Sequence, residues 1–414
     1  MSLASYDPEI ANALQAELER ERHGLEMIPS ENFVSEAVLE ALGSVATNKY
    51  SEGYIGKRYY GGCEYIDIIE SLAIERAKKL FGAEHVNVQP LSGAPANIAV
   101  YSALLKPSDT ILGMDLSHGG HLTHGHPVTY SAGIYKFVRY KTAPDGSIDY
   151  DHLRNMAGEH RPKVILMGYS AYSRDIDYTK VKQIADEIGA LTMADIAHIA
   201  GLIAAGEMNN PVGIFDVITT TTHKTLRGPR GGMILCKKEL GKVIDKAVFP
   251  GLQGGPHENV IAAKAVAFKE ALEPEFKTYA RQIKANAKAL EHELAAHGFK
   301  IMFGGTENHL LLLDVTPKEI TGKQAQEALD RANITVNKNA IPDDPRSPMD
   351  PSGIRLGTPA LTTRGFTQDE MRAIGKLIAR VIAEPESESV AEAVKKEVRT
   401  MTDAHPLYPG SRYE

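Results

Sequence analysis

The chain has no tryptophan in its 414 residues and only two cysteines, Cys63 and Cys236. Two thiols in otherwise unrelated segments cannot form a disulfide framework, so a reducing compartment fits best. The missing tryptophan excludes nothing about function. Basic residues are not in excess: 46 Lys and Arg against 53 Asp and Glu leave a net charge of −7 and an isoelectric point near 6.1. That argues against a nucleic-acid binder driven by a basic surface. Nothing approaches the roughly 18 consecutive apolar residues of a membrane span. The N-terminal segment up to Gly24 lacks the apolar core of a secretory signal and is too acidic for a transit peptide. A cytoplasmic address is therefore expected, with the sequon at Asn333 unmodified. The 36 Gly and 22 Pro follow no period, which excludes collagen-like and low-complexity chains.

What is present is an ordinary globular balance, 43% hydrophobic and 24% charged. The length suits two or three units of about 150 residues each. Asp7 reads as an N-cap, with Pro8 at the first helical position and Gly24 past the end, giving an N-terminal helical arm over 1–25. From about 70 to 250, helical periods (66–82, 95–105, 178–189) fall among short apolar strands. Those strands are expected at 85–90, 110–115, 163–168, 190–195, 216–222 and 232–238. The alternation predicts an α/β large domain over 26–281 with a mostly parallel sheet, whose ligands lie beyond the carboxyl ends of the strands. A long helix over 273–298 reads as a connector. Strands at 300–305, 309–315 and 334–339 and helices at 321–332 and 367–384 follow, predicting a smaller α+β domain over 282–414. The tail from 404 on is expected to be poorly ordered.

The chemistry should sit in the loops. A β-branched strand runs into His223-Lys224, followed by Gly228, Pro229, Gly231 and Gly232. A lysine at the exit of a buried strand, flanked by hydroxyls and glycines, suits a Schiff-base amine; a surface lysine just past a strand end is the bland alternative. Asp195 ends another strand, three residues before His198, and a carboxylate there can pair with a protonated pyridine nitrogen. Ser92-Gly93-Ala94-Pro95 lies between a strand and a helix start, where free backbone N–H groups suit a phosphate. Each of these alone is ordinary turn chemistry. In this chain order they point together to pyridoxal 5′-phosphate.

Four of the 15 histidines crowd one loop as His118, His121, His124 and His126. A metal cluster is the tempting reading, but spacings of three, three and two, with no Cys or carboxylate in the loop, match no usual zinc pattern. A histidine stacked on a cofactor ring, with its neighbours packing locally, fits better, and no metal is expected. His292 and His297 resemble a zinc-protease pair with one residue too many, about 140° apart on a helix rather than about 40°. They read as a solvated face.

The blocks PSENF (29–33), TNKYSEGYIGKRYYGGCEYID (47–67), HGGHLTHG (118–125), TTTTHKTLRGPRGG (219–232), FPGLQGGP (249–256) and SGIRLGTPALTTRG (352–365) resemble those of the serine hydroxymethyltransferase family, and the match runs through nearly the whole chain. The resemblance implies a fold type I pyridoxal-phosphate transferase, aspartate aminotransferase-like, acting as a homodimer or a dimer of dimers. It implies transfer of the hydroxymethyl group of L-serine to tetrahydrofolate, giving glycine and 5,10-methylenetetrahydrofolate, with no nucleic-acid or membrane partner. Lys224 resembles the Schiff-base lysine, with His223 beside it, and Asp195 the pyridine-nitrogen partner. His121 resembles the ring-stacking histidine and His198 the group near the ring hydroxyl. Ser92, Gly93 and Ala94 match the phosphate turn; Ser170 and Thr221 match further cofactor contacts. Tyr50, Gly254 and Gly255 resemble contributions from a neighbouring subunit. Arg355, with Ser30 nearby, resembles the clamp for the amino-acid carboxylate, a task suited to a planar fork. Glu52 resembles the acid–base residue and Tyr60 lines the same mouth; passing a proton there would call for a carboxyl raised by burial. Leu116, Gly120, Leu122, Asn339, Ser347, Pro348 and Met349 match folate-contact positions.

Three positions depart from the family pattern: Leu91 for a usual His, Pro95 for a usual Gln, and Asp343 where an aromatic or small polar residue is common. None removes a catalytic group. The competing functions are a threonine or allothreonine aldolase on the same fold, a pyridoxal-binding protein that has lost catalysis, and a metal-dependent hydrolase built on the histidine loop. Retention of both Glu52 and Lys224 speaks against lost catalysis.

Overall fold

The computed structural model describes residues 2–410. These divide into two compact units: residues 37–281 with 303–308, and residues 2–36, 282–302 and 309–410. The sequence suggested an arm ending at 25 and a small domain beginning at 282. The grouping of residues up to Glu36 with the C-terminal segments has a local cause. Leu25–Glu26 pair in parallel with Ile334–Thr335. The buried Arg364 guanidinium donates to the carbonyls of Glu21, Arg22 and Gly24 and to those of Thr402 and His405.

The larger unit holds a seven-stranded sheet. Its strands in chain order are β1 (His85–Asn87), β2 (Thr110–Met114), β3 (Lys136–Tyr140), β4 (Val164–Gly168), β5 (Leu191–Asp195), β6 (Val217–Thr221) and β7 (Gly232–Cys236). Their spatial order is β1-β7-β6-β5-β4-β2-β3. The pairs β6–β5, β5–β4, β4–β2 and β2–β3 are parallel, while β7 runs antiparallel to both β6 and β1. Strands β4, β6 and β7 are buried at every residue, as aliphatic and β-branched strands in a sheet covered on both faces should be. Register sets the carboxyl ends side by side, Gly168 opposite Asp195 and Asp195 opposite Thr219. Helix α1 (Gly93–Leu104) packs Ala96, Ala99 and Val100 into the same core as Val217 and Ile234. It begins two residues before the expected Pro95, so that Pro95 falls in its first turn, where a missing N–H costs nothing.

The smaller unit carries a four-stranded antiparallel sheet, β8 (Lys300–Ile301), β9 (Leu310–Asp314), β10 (Asn337–Asn339) and β11 (Gly353–Gly357), ordered β8-β9-β11-β10. The strand expected at 300–305 ends at Ile301, because Phe303 turns into the left-handed region at φ 57°. The run at 334–339 splits into two pieces with different partners. The tail expectation fails for the described residues: Leu407 packs against Phe33 and Ala360, and the Tyr408 hydroxyl donates to the Val34 carbonyl at 2.8 Å. Residues 411–414 lie outside the described residues. No helix among the described residues is long and apolar enough to cross a membrane.

Candidate active site

The site begins at the carboxyl end of β5. Asp195 is 7% exposed, and its Oδ1 accepts the Ala197 amide at 3.0 Å. Its Oδ2 accepts from the Asn97 side chain at 2.9 Å and lies 3.2 Å from His124 Nε2. His124 Nδ1 accepts the backbone N–H of His121, so in the neutral ring the proton sits on Nε2 and points at the carboxylate. Burial alone would push the Asp195 carboxyl up. The hydrogen bond and charge of His124, the charge of His121 and the Asn97 bond outweigh it and hold the group well below the usual carboxylate range. Asn97 is oriented in turn, because its Oδ1 accepts from Thr219 on β6 at 2.6 Å and its Nδ2 also donates to Thr123 at 2.8 Å. Thr123 meets His121 Nδ1 at 2.8 Å, fixing the tilt of that half-buried ring.

Asn97 and Thr123 were not singled out from the sequence, and His124 was read only as one of the locally packing histidines of its loop, whereas it meets Asp195. Only the position of His124, three residues after His121 in a histidine-rich loop, could have marked it. His121, His124 and Asp195 bring their ligand atoms within 4.8 Å of one another, a group that could hold a metal ion. Each of these side chains already has hydrogen-bond partners: His121 Nδ1 meets Thr123, His124 Nδ1 takes a backbone N–H, and both Asp195 oxygens accept. His118 packs locally, its Nδ1 2.9 Å from the Thr142 hydroxyl. His292 and His297 are exposed on their helix, and His297 pairs with Glu293 at 3.1 Å.

Lys224 follows β6 and is 9% exposed. Beside it His223 is half-buried, and its Nδ1 has no hydrogen-bond partner among the described residues. Burial, then the positive charges of Lys224 and Arg230, push the His223 imidazole down to about 3, so the ring is neutral. The Thr221 hydroxyl donates to the Ala197 carbonyl, and the Thr225 hydroxyl donates to the His198 carbonyl at 2.8 Å, tying the β5 and β6 exits together. His198 is 2% exposed. The Ser170 amide donates to the Gly119 carbonyl at 2.7 Å, drawing the β4 exit to the histidine loop. Gly120 packs so tightly that a Cβ would lie 2.2 Å from the Met114 carbonyl; Leu116 is half-buried and Leu122 is 47% exposed.

The Ser92-Gly93-Ala94 turn is half-buried at the N-terminus of α1, and the Ser92 side chain makes no cap bond there. A Cβ on Gly93 would lie 2.9 Å from Thr221 Cγ2, and one on Gly232 would lie 2.5 Å from the Ser92 carbonyl. The turn is therefore a close-packed cradle with its N–H groups at a helix start, between strand exits that carry a carboxylate and a lysine. These residues fit pyridoxal phosphate.

A second cluster forms in the same unit. The Tyr50 hydroxyl donates to Glu52 at 3.3 Å, and the Tyr50 and Tyr60 rings meet edge to face at 5.1 Å. A Cβ on Gly254 would lie 3.3 Å from Glu52 Oε1, and one on Gly255 would lie 3.3 Å from the Tyr50 ring. Glu52 is half-buried, above a deeply buried polar network. There Ser51 donates to Glu258 at 2.6 Å, and Arg58 donates to the Ser51 and Gly53 carbonyls at 3.0 Å and to Glu70 at 2.8 Å. The smaller unit holds Arg355 in β11, 9% exposed, donating to Asn337 at 3.1 Å. Burial lowers its guanidinium to about 10 while Glu31 opposes the shift, so it stays charged. Ser30 and Asn339 are half-buried in that unit, and Ser347, Pro348 and Met349 are exposed.

A mostly parallel α/β sheet with an ionised carboxylate, a lysine and a helix-start cradle at neighbouring strand exits defines a fold type I pyridoxal-phosphate enzyme. The family model described as serine hydroxymethyltransferase matches residues 3–378. The chain is 57% identical over 412 residues to a serine hydroxymethyltransferase of Koribacter versatilis (strain Ellin345), covering 99% of this chain and 97% of that one. The chain belongs to the serine hydroxymethyltransferase family.

Proposed function

We propose that the chain transfers the hydroxymethyl group of L-serine to tetrahydrofolate, giving glycine and 5,10-methylenetetrahydrofolate, with pyridoxal 5′-phosphate as cofactor. Family membership over nearly the whole chain supports the reaction. The observation that carries the site is Asp195, held ionised beside the β6 exit that leads to Lys224. The bound cofactor supplies an electron sink for cleavage of the bond between the α- and β-carbons of serine. Asp195 keeps the pyridine nitrogen protonated because His124 and Asn97 keep Asp195 charged. Lys224 would contribute the amine that holds the cofactor, with the neutral His223 beside it. His121 would lie against the ring, and His198 would serve the ring hydroxyl. Ser92, Gly93 and Ala94 bind the phosphate through N–H groups and a hydroxyl, with Ser170 and Thr221 as further contacts. Arg355 and Ser30 hold the amino-acid carboxylate. Glu52 moves a proton at the serine hydroxyl, oriented by Tyr50 with Tyr60 alongside. Leu116, Gly120, Leu122, Asn339 and the segment 347–349 contact the folate.

A homodimer or a dimer of dimers completes the reading, with Tyr50, Gly254 and Gly255 serving a neighbouring subunit. Tyr50, Tyr59, Tyr60, Tyr65 and Ile68 are 55%, 74%, 47%, 72% and 55% exposed, an aromatic surface suited to a second copy. The free thiols Cys63 and Cys236 support a cytoplasmic address. The larger unit, residues 37–281 with 303–308, carries the cofactor groups, and the smaller unit, which takes in the N-terminal segment, carries Arg355 and Ser30.

Glycine release from serine with and without tetrahydrofolate tests the reaction. A strong folate requirement is expected, and folate-independent turnover of serine at the same rate would favour an aldolase. Lys224→Arg should abolish turnover, since the amine that would hold the cofactor is gone; a fully active variant would overturn the lysine's role.

A further inference from the structure

Beneath the phosphate turn lies a lysine that none of these roles uses. Lys264, on the helix Glu258–Ala271, is 1% exposed. Its Nζ donates to the carbonyls of Val88 at 2.6 Å, Gly232 at 2.7 Å and Pro90 at 3.2 Å. Three acceptors match the three N–H bonds of an ammonium, and a neutral amine could serve only two. Gly232 also donates its N–H to the Pro90 carbonyl at 3.0 Å, and a Cβ on Gly231 would lie 2.5 Å from Lys264 Cε. The amino group thus ties together three carbonyls at the point where the chain leaves β1 and where β7 begins, beside the Ser92 carbonyl.

A second brace reaches the turn from another side. Gln253 accepts the Leu91 N–H at 3.1 Å and donates to the Gln89 carbonyl at 3.0 Å. Gln89 is anchored in turn, its side chain donating to the Gly53 carbonyl and to Glu70, each at 3.0 Å. Leu91 is 43% exposed, so its side chain adds little packing and the backbone bond to Gln253 carries that corner.

We propose that Lys264 and Gln253 are positioning residues for the cofactor phosphate, bracing the Gln89–Gly93 turn from below and from the side so that its N–H groups stay aimed; this rests on reading that turn as the phosphate site. Neither residue touches the phosphate. Each acts by keeping the cradle preformed, so that binding does not have to order it.

The test compares the holoenzyme with Lys264→Met, Gln253→Leu, Gln253→Glu and Ser92→Ala. Loss of bound pyridoxal phosphate on dialysis is followed by visible absorbance, and the affinity for added pyridoxal phosphate and the melting of the cofactor-free protein are also measured. Lys264→Met and Gln253→Leu should weaken cofactor binding roughly tenfold or more. The KM for serine at saturating cofactor should move less than about twofold. Gln253→Glu keeps the acceptor for Leu91 and should recover part of the loss. Parental cofactor affinity in both braces, with Ser92→Ala weakened, would overturn the proposal and leave the turn's role standing. Unchanged affinity in all four would overturn both. A lowered melting temperature without weaker cofactor binding would reduce the braces to structural residues and also overturn the proposal. If Lys264→Met does not fold, the Gln253 pair decides.

Discussion

Around Asp195, polar groups are buried and partnered: Asn97 is fully buried, His124 is 1% exposed, and their donors converge on one carboxylate. Around Glu52, the Tyr50 and Tyr60 rings are 55% and 47% exposed, and the carboxylate receives one hydroxyl at 3.3 Å. The difference follows the task proposed for each. A charge that must never change is best held in a dry network whose every member is oriented by another. A carboxylate that takes up and releases a proton has to reach substrate, so it stands on an open loop and is steadied from beneath by Ser51, Arg58 and Glu258.

The strongest way to break the comparison is Asp195→Asn. It removes the charge while nearly preserving shape, and kcat should fall on the order of 10³; a loss under about tenfold would mean that the network holds a charge the reaction does not need. Glu52→Gln comes next. Proton transfer at that position is worth roughly 10² or more in kcat, while cofactor binding measured by visible absorbance should be unaffected. Weakened cofactor binding in this variant would mean that the two clusters do not divide the work as proposed.

The third test, of stability rather than rate, concerns His223, in the buried half of the comparison. Its folded-state value lies near 3, below the ordinary 6.5. Well above pH 6.5 the ring is neutral whether the chain is folded or unfolded, and the group contributes nothing to pH dependence. As the pH falls from there towards 3, the unfolded chain gains a proton that the folded chain refuses, and stability drops. At pH 4 the drop should be about 3 kcal/mol. Melting of the cofactor-free protein at pH 7 and pH 4 measures it, and His223→Gln should flatten the slope. An equally steep slope in the variant would assign the acid sensitivity to other groups.

Much of the larger unit was readable in advance. Strands at 110–115, 163–168, 190–195, 216–222 and 232–238 are present, because buried strands run as short aliphatic or β-branched stretches. The arm helix starts at Pro8 with Asp7 accepting the Ile10 N–H at 3.1 Å, as its cap residues required. Among the readings that missed was the strand at 300–305, a short apolar run with no period to mark its end. Strand β3 and the helices at Glu258–Ala271 and Glu388–Ala404 were not anticipated, and β11 was noticed only as the block carrying Arg355.

By itself the sequence determined the kind of sheet, the order of its strands along the chain and the family, since these depend on local periodicity and on contiguous motifs. Only the tertiary structure decided which side chains orient the chemistry. Asn97 reaches Asp195 across 98 positions and Lys264 reaches Val88 across 176. A hydrogen bond between residues so far apart leaves no local period or motif, because it exists only once the strands that carry its partners lie side by side.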